Sequence, residues 1–225
     1  GKSGASAHIH VRSGMSGLKE AIAMAAETNT ALHVVHVNSS GGANTEDFLA
    51  EIQAAIDRGQ DVSTEAYPYE AGMTSIQSAL FDGWEEWNDE RIERHQWPET
   101  GEFLNRESFG KYRNSGGNVI IHSRTEEMTL SALRSPLTMI ASDGFIVNAK
   151  GHPRTSGTYA KVLGKYVREQ KIMSLMEALR RMSLAPAQRL ESFVPMMQKK
   201  GRLQVGADAD IVIFDPETVS DRSTY

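Results

Sequence analysis

The feature that most restricts the fold is a unit repeated along the first third of the chain. A short apolar run ends in a loop of Gly, Ser and Asn, an amphipathic stretch follows, and another short apolar run begins. Residues 7–11 predict a strand, and Arg12-Ser13-Gly14 turns out of it towards a helix starting near Ser16. Leu18, Ile22, Ala25 and Ala26 recur at helical spacing and give that helix one apolar face. Residues 32–37 predict a buried strand followed by Asn38-Ser39-Ser40-Gly41-Gly42. Thr45 is placed to cap a second helix, whose Phe48, Leu49, Ile52 and Ile56 turn to a core, and Gly59 suits its stop. Residues 62–66 predict a third strand, closed at Tyr67-Pro68-Tyr69 because proline has no N–H for a sheet ladder. This is βα alternation, which builds a parallel sheet with helices packed on it.

The rhythm fails over residues 76–117, which are rich in Trp, Glu and Arg and have no clean period; this predicts an inserted subdomain or lid. Trp84, Trp87 and Trp97 are expected to anchor its core, and the charges of residues 85–94 to form a solvated face. Residues 118–122 read as a strand, either of the barrel that βα units form or of the insertion. Residues 137–142 are strand-like and end in Ser142-Asp143-Gly144, with residues 151–157 a polar loop. Helices are expected over 159–170 and 174–182, with Pro186 at or near the start of a third. Residues 201–203 and 210–215 read as two strands around a turn at 205–208, part of a small separate β unit. The division is therefore a barrel portion over 1–195 and a β unit over 196–225.

With 40% hydrophobic residues in 225, the chain can fill one sizeable core. A formal net charge of -5 gives no electrostatic reason to expect nucleic acid or an anionic membrane as partner. The absence of cysteine excludes disulfides, thiolate zinc sites and a cysteine nucleophile, so any metal must use His, Asp or Glu. It also fits a reducing compartment. No apolar run reaches membrane-spanning length, and Gly1-Lys2-Ser3-Gly4 has neither an initiator Met nor a signal-type region. The expected location is cytoplasmic, and the opening reads as an interior point of a longer chain.

His10, His36 and Asp143 share one placement, at or near the C-terminal end of an expected strand. In a parallel βα barrel these ends meet at one mouth, where active sites of that architecture sit. Two imidazoles and a carboxylate there suit a divalent metal such as Zn²⁺ with an open position for water. Although His8-Ile9-His10 has the form of a first-strand His-x-His, the spacing is against it. A barrel takes most of its ~250 residues between a first-strand ligand and an eighth-strand Asp, and His10 to Asp143 encloses about half of that. His10 then fits strand five, His36 strand six, Tyr67 strand seven and Asp143 strand eight, and His8, one step deeper on the same face, is structural.

Several runs resemble the N-acyl-D-amino-acid deacylase (D-aminoacylase) branch of the amidohydrolases, in this order along the chain. They are the strand of residues 7–12 with its His-x-Arg, Val34-Val35-His36, Glu65-Ala66-Tyr67-Pro68-Tyr69-Glu70-Ala71-Gly72, Ala141-Ser142-Asp143-Gly144, His152-Pro153-Arg154 with Gly157-Thr158, and Gly206-Ala207-Asp208-Ala209-Asp210-Ile211-Val212-Ile213-Phe214-Asp215. The resemblance implies an α/β fold: the C-terminal half of a (β/α)8 TIM-type metallohydrolase barrel with an insertion, plus part of a small β-sandwich. It implies hydrolysis of the amide of a small N-acylated amino acid by metal-activated water. His10 and His36 match metal ligands, and Asp143 matches the aspartate that binds at the metal site and moves the water's proton. Tyr67 matches a tyrosine that holds the substrate, and Arg154 an arginine suited to its carboxylate. The remaining N-terminal half of the same barrel is implied as a partner, since first-strand and mid-barrel ligands precede this segment.

Departures bear on the substrate. Val35-His36-Val37-Asn38 stands where the family has Ser-His-x-Lys, Met73 replaces the Ser of Ala-Gly-Ser-Thr, and the acidic residue expected after His-x-Arg is missing from Arg12-Ser13-Gly14. The rivals are a dihydroorotase- or hydantoinase-like cyclic amidohydrolase, which shares strand-end ligands and the terminal Gly-x-x-Ala-Asp, and a barrel kept for binding without catalysis.

Overall fold

The computed structural model describes residues 4–147 and 150–225, so the opening tripeptide lies outside the described residues. β1 (Ser6–Ile9), α1 (Gly14–Glu27), β2 (Ala31–Val34), α2 (Val37–Gly41), α3 (Thr45–Asp57) and β3 (Val62–Ala66) alternate along the first third. The irregular stretch is flanked by β4 (Ala71–Ser75) and β6 (Asn118–His122) and contains α4 (Asp89–Ile92), β5 (His95–Gln96) and α5 (Arg106–Ser115). Next come α6 (Glu126–Arg134), β7 (Thr138–Ile140) and the short pair β8 (Ile146–Val147) and β9 (Lys150–Gly151). α7 (Arg154–Lys161) runs on through Val162–Glu169, and α8 (Leu175–Leu179) runs through Arg180–Leu184 into α9 (Ala185–Leu190).

β1, β2, β3 and β7 form one parallel sheet in that order, as successive staves of a barrel do. Its two faces differ in chemistry because alternate residues of a strand point opposite ways. Ala7, Ile9, Leu32, Val34, Val62 and Ala66 pack with Leu18 and Ile22 of α1 and Phe48, Leu49 and Ile52 of α3. Each such large side chain, fully buried, contributes about 1.5–3 kcal/mol. On the opposite face the register sets His8 beside His33, His33 beside Ser63, and Glu65 beside Met139. His33 is buried there and bridges Ser63 Oγ at 2.7 Å and Glu65 Oε2 at 3.1 Å.

β7 is held by a second core of Leu130, Leu133, Ile140, Val162, Tyr166 and Ala178. Buried Arg181 donates to the carbonyls of Thr138 (2.5 Å) and Leu133 (2.7 Å), so the backbone that carries Asp143 is pinned from behind.

The stretch read as an insertion has its own antiparallel sheet, ordered β4-β6-β5, which gives residues 118–122 a place outside the parallel sheet. It also has its own core of Ile76, Phe81, Ile92, Trp97, Leu104, Phe109 and Val119, with Trp84 and Trp87 packed against it. Trp97 stacks flat on Tyr112 at 3.7 Å between centroids. Reciprocal side-chain and backbone bonds between Asn105 and Ser108 cap α5 at its start.

The structure corrects several expectations. The second strand stops at Val34, not at 37, because His36 takes a left-handed conformation and starts α2. Thr45 does not cap α3; its hydroxyl donates to the Gly42 carbonyl, while Gly59 follows the helix at φ 82 as anticipated. The expected loop 151–157 instead completes β9 and starts α7 at Arg154, whereas Pro186 stands second in α9, at the helix start as expected.

No strand forms at 201–203 or 210–215, so the expected part of a β-sandwich is not built among the described residues. Leu203, Val205, Val212 and Ile213 are almost fully exposed. Strands need partners for their N–H and C=O groups, and within the chain this stretch is tied mainly by a turn (Ala207 N to Gln204 O, 3.1 Å) and by ion pairs from Lys200 to Asp208 and Asp210. The chain then returns to the sheet: Tyr69 donates to Asp221, Ser223 donates to the Pro153 carbonyl at 3.0 Å, and the Tyr225 ring lies against His122 and His152.

Candidate active site

The strand ends bring His10 and His36 together. His10 directly follows β1, and the ladder continues one step as Val35 N–H donates to the Ile9 carbonyl at 3.1 Å. The backbone of His36 then turns to φ 37, ψ 58 and brings its ring round, leaving His10 Nδ1 and His36 Nε2 2.9 Å apart. Burial pushes the His36 pKa below its ordinary value, only partly opposed by the nearby Asp143 charge, which favours the neutral imidazole. Neutral imidazoles are the form that ligates metals.

Tyr67, just past β3, is buried with its ring 6.4 Å from that of His36. Asp143, beyond β7, is held at φ 47, and its carboxylate pairs with Arg154 Nη1 at 2.9 Å. Arg154 is 1% exposed and spreads its guanidinium over the Tyr67 ring, 4.4 Å from the centroid. His152 fixes the start of α7: its Nε2 donates to the Ala71 carbonyl (3.0 Å) and its Nδ1 accepts from Arg154 N–H (2.9 Å). That bonding requires a neutral ring, and burial, then the Arg154 charge, lower the His152 pKa to about 2.

One expectation does not hold in this geometry. His10, His36 and Asp143 do not form a single ligand cluster, and among the described residues no group of three His, Cys, Asp or Glu side chains is arranged to hold a metal. Arg154 holds the Asp143 carboxylate in an ion pair, and the two histidine rings contact each other at hydrogen-bond distance. His8 is on the deeper layer, its ring 4.8 Å from His33, in keeping with a structural role.

One residue at the site was missed. Arg124, two residues beyond β6, donates from Nη2 to the Tyr67 phenol (2.7 Å) and from Nη1 to Ser39 Oγ (3.3 Å). Its sequence signal, an arginine just after a strand end, was hidden by the question of which sheet that strand joins. Asn38, in the family's Lys position, is fully buried and donates to the Tyr67 carbonyl at 2.9 Å. It anchors the Tyr67 backbone.

No family model matches the chain. Among curated proteins it is similar to an N-acyl-D-glutamate deacylase of Alcaligenes xylosoxydans xylosoxydans, 32% identical over 190 residues, covering 79% of this chain and 37% of that protein. It is also similar to a D-aminoacylase of the same organism, 30% identical over 225 residues, covering 94% of this chain and 44% of that one. Among solved structures, the N-acyl-D-glutamate deacylase of Bordetella bronchiseptica, complexed with zinc and a phosphonate mimic of the tetrahedral intermediate, superposes with a TM-score of 0.79 at 28% identity. It matches 96% of this chain and 48% of its own. A crystal structure of D-aminoacylase gives a TM-score of 0.76 at 28% identity, with the same coverage. The chain therefore spans less than half the length of each of these relatives. By sequence and by fold it belongs to the D-aminoacylase branch of the amidohydrolases, as the counterpart of about half of such a protein.

Proposed function

We propose that this chain is the C-terminal half, strands five to eight, of a metal-dependent barrel that hydrolyses the amide bond of N-acyl-D-amino acids. The observation that carries the reading is the His10–His36 pair, two imidazole nitrogens 2.9 Å apart at adjacent strand ends. Two histidines fit a divalent cation, with Zn²⁺ the ion in the solved relative. The other ligands would come from the N-terminal half of the barrel. Bound there, such a cation would lower the pKa of a bound water to about 7 and so supply a nucleophile at neutral pH.

The remaining roles belong to side chains of this chain. Asp143 accepts the proton of the attacking water and returns one to the leaving amine. Arg154 aims that carboxylate through its 2.9 Å ion pair and, with Tyr67, lines the side where the substrate lies. With Asn38 in place of a lysine, recognition of the substrate carboxylate is left to arginines.

The test is hydrolysis by the complete protein, loaded with Zn²⁺, of N-acetyl-D-amino acids and their L counterparts. D-selective release of acetate is expected. Bound metal without amide hydrolysis would move the assignment to cyclic amides, and neither metal nor hydrolysis would leave a barrel kept for binding.

A further inference from the structure

Two guanidinium groups flank the Tyr67 ring, Arg154 at 4.4 Å and Arg124 at 5.2 Å from its centroid. Both leave a buried Nε without a hydrogen-bond partner. They differ in charge compensation. Arg154 is neutralised by Asp143. Among the described residues, the side-chain hydrogen bonds of Arg124 go to neutral oxygens: the Tyr67 phenol at 2.7 Å, Ser39 Oγ at 3.3 Å and the Tyr69 carbonyl at 3.4 Å. Glu70, close in the chain, pairs with Lys161 instead. A half-buried guanidinium facing only neutral acceptors has lost hydration without gaining a counter-charge, an arrangement that favours a bound anion. The planar fork of arginine matches a carboxylate in particular. The Gly72 backbone leaves this approach open, because a Cβ there would come within 3.3 Å of the Tyr67 hydroxyl and 3.7 Å of Arg124 Nη1.

We infer that Arg124 is the anchor for a carboxylate of the substrate, an assignment that rests on the deacylase reading. The carboxylate is either the α-carboxylate shared by all N-acyl amino acids or an acidic side chain. In either case Arg124 acts in binding: it sits at the end of the inserted sheet and hydrogen-bonds the phenol of Tyr67, so the insertion contributes directly to substrate selection.

The experiment compares wild type, Arg124→Gln and Arg124→Lys of the complete protein on N-acetyl-D-glutamate, N-acetyl-D-leucine and N-acetyl-D-leucine amide. Binding of N-acetyl-D-glutamate is measured in parallel by calorimetry. A charge-assisted bond of this kind predicts that Arg124→Gln raises KM for N-acetyl-D-glutamate about tenfold to a hundredfold with kcat less affected. The leucine amide, which has no carboxylate, should be affected least, and Arg124→Lys should recover part of the loss. An equal rise for N-acetyl-D-leucine assigns the α-carboxylate, whereas an unchanged value for it assigns the acidic side chain. An equal loss on all three compounds would overturn the inference, because it would mean that Arg124 only positions Tyr67. Wild-type kinetics in Arg124→Gln would overturn it as well. If wild type hydrolyses none of the three, the deacylase reading fails, and calorimetry still decides for Arg124: binding weakened by Arg124→Gln supports the anchor, and no binding or equal binding removes it.

Discussion

Two side chains at the site are held in backbone conformations that non-glycine residues seldom adopt, His36 at φ 37 and Asp143 at φ 47. Such residues cost about 1–3 kcal/mol each and persist where surrounding structure over-determines them, here the pinned β7 and the packed α2. Asp143→Asn keeps the shape and an acceptor for Arg154 but removes the base. The variant should lose at least a hundredfold in kcat, in line with the roughly 10²–10⁴-fold contribution of general acid–base catalysis, while the folded state persists. Unaltered turnover would take Asp143 out of the mechanism. His152 gives a pH prediction. Its folded pKa, about 2, lies below the ordinary 6.5, so the unfolded chain takes up the proton first as pH falls. The stability it contributes is whole above pH 6.5 and is lost progressively as pH falls from 6.5 towards 2, by at most about 1.4 kcal/mol per pH unit. Denaturant unfolding between pH 6 and 4 should therefore fall less steeply in His152→Gln than in wild type; parallel slopes would contradict this.

At the scale of elements, the βα units were legible because their apolar positions follow the helix and strand periods; Leu18, Ile22, Phe48, Leu49 and Ile52 all lie in the main core. The insertion has no such period. Its order comes from aromatic stacking and from three strands, one of only two residues, that pair across more than twenty residues of chain. Composition could point to an aromatic core there but not to its pairing, which is why the membership of residues 118–122 stayed open and Arg124 went unseen. Phe109 sits at the centre of that core with no exposure and edge-on contacts to Phe81 and His95. Phe109→Ala should cost about 3–5 kcal/mol and loosen the insertion before the parallel sheet. Hydrogen exchange should then speed up first at β4, β5 and β6; uniform acceleration across β1 to β3 as well would show that the two cores unfold as one.

For the whole molecule, the sheet has one greasy, helix-covered face and one polar face carrying His8, His33, Ser63 and Glu65, with the histidine pair at its rim. That asymmetry suits a stave of a barrel whose polar face looks inward. In the terminal stretch Leu203, Val205, Val212 and Ile213 carry strand-forming side chains, yet among the described residues no strand pairs with them. Of the residues that matched the deacylases in wording, His10, His36, Tyr67, Asp143 and Arg154 come together at the strand ends, with Asp143 bound to Arg154, whereas residues 206–215 stay apart from them. The most direct test of the account is therefore the zinc content of the complete protein, measured by elemental analysis, beside that of His36→Ala. The account predicts bound zinc in the wild type and loss of at least one equivalent in the variant, and equal zinc in the two would contradict it.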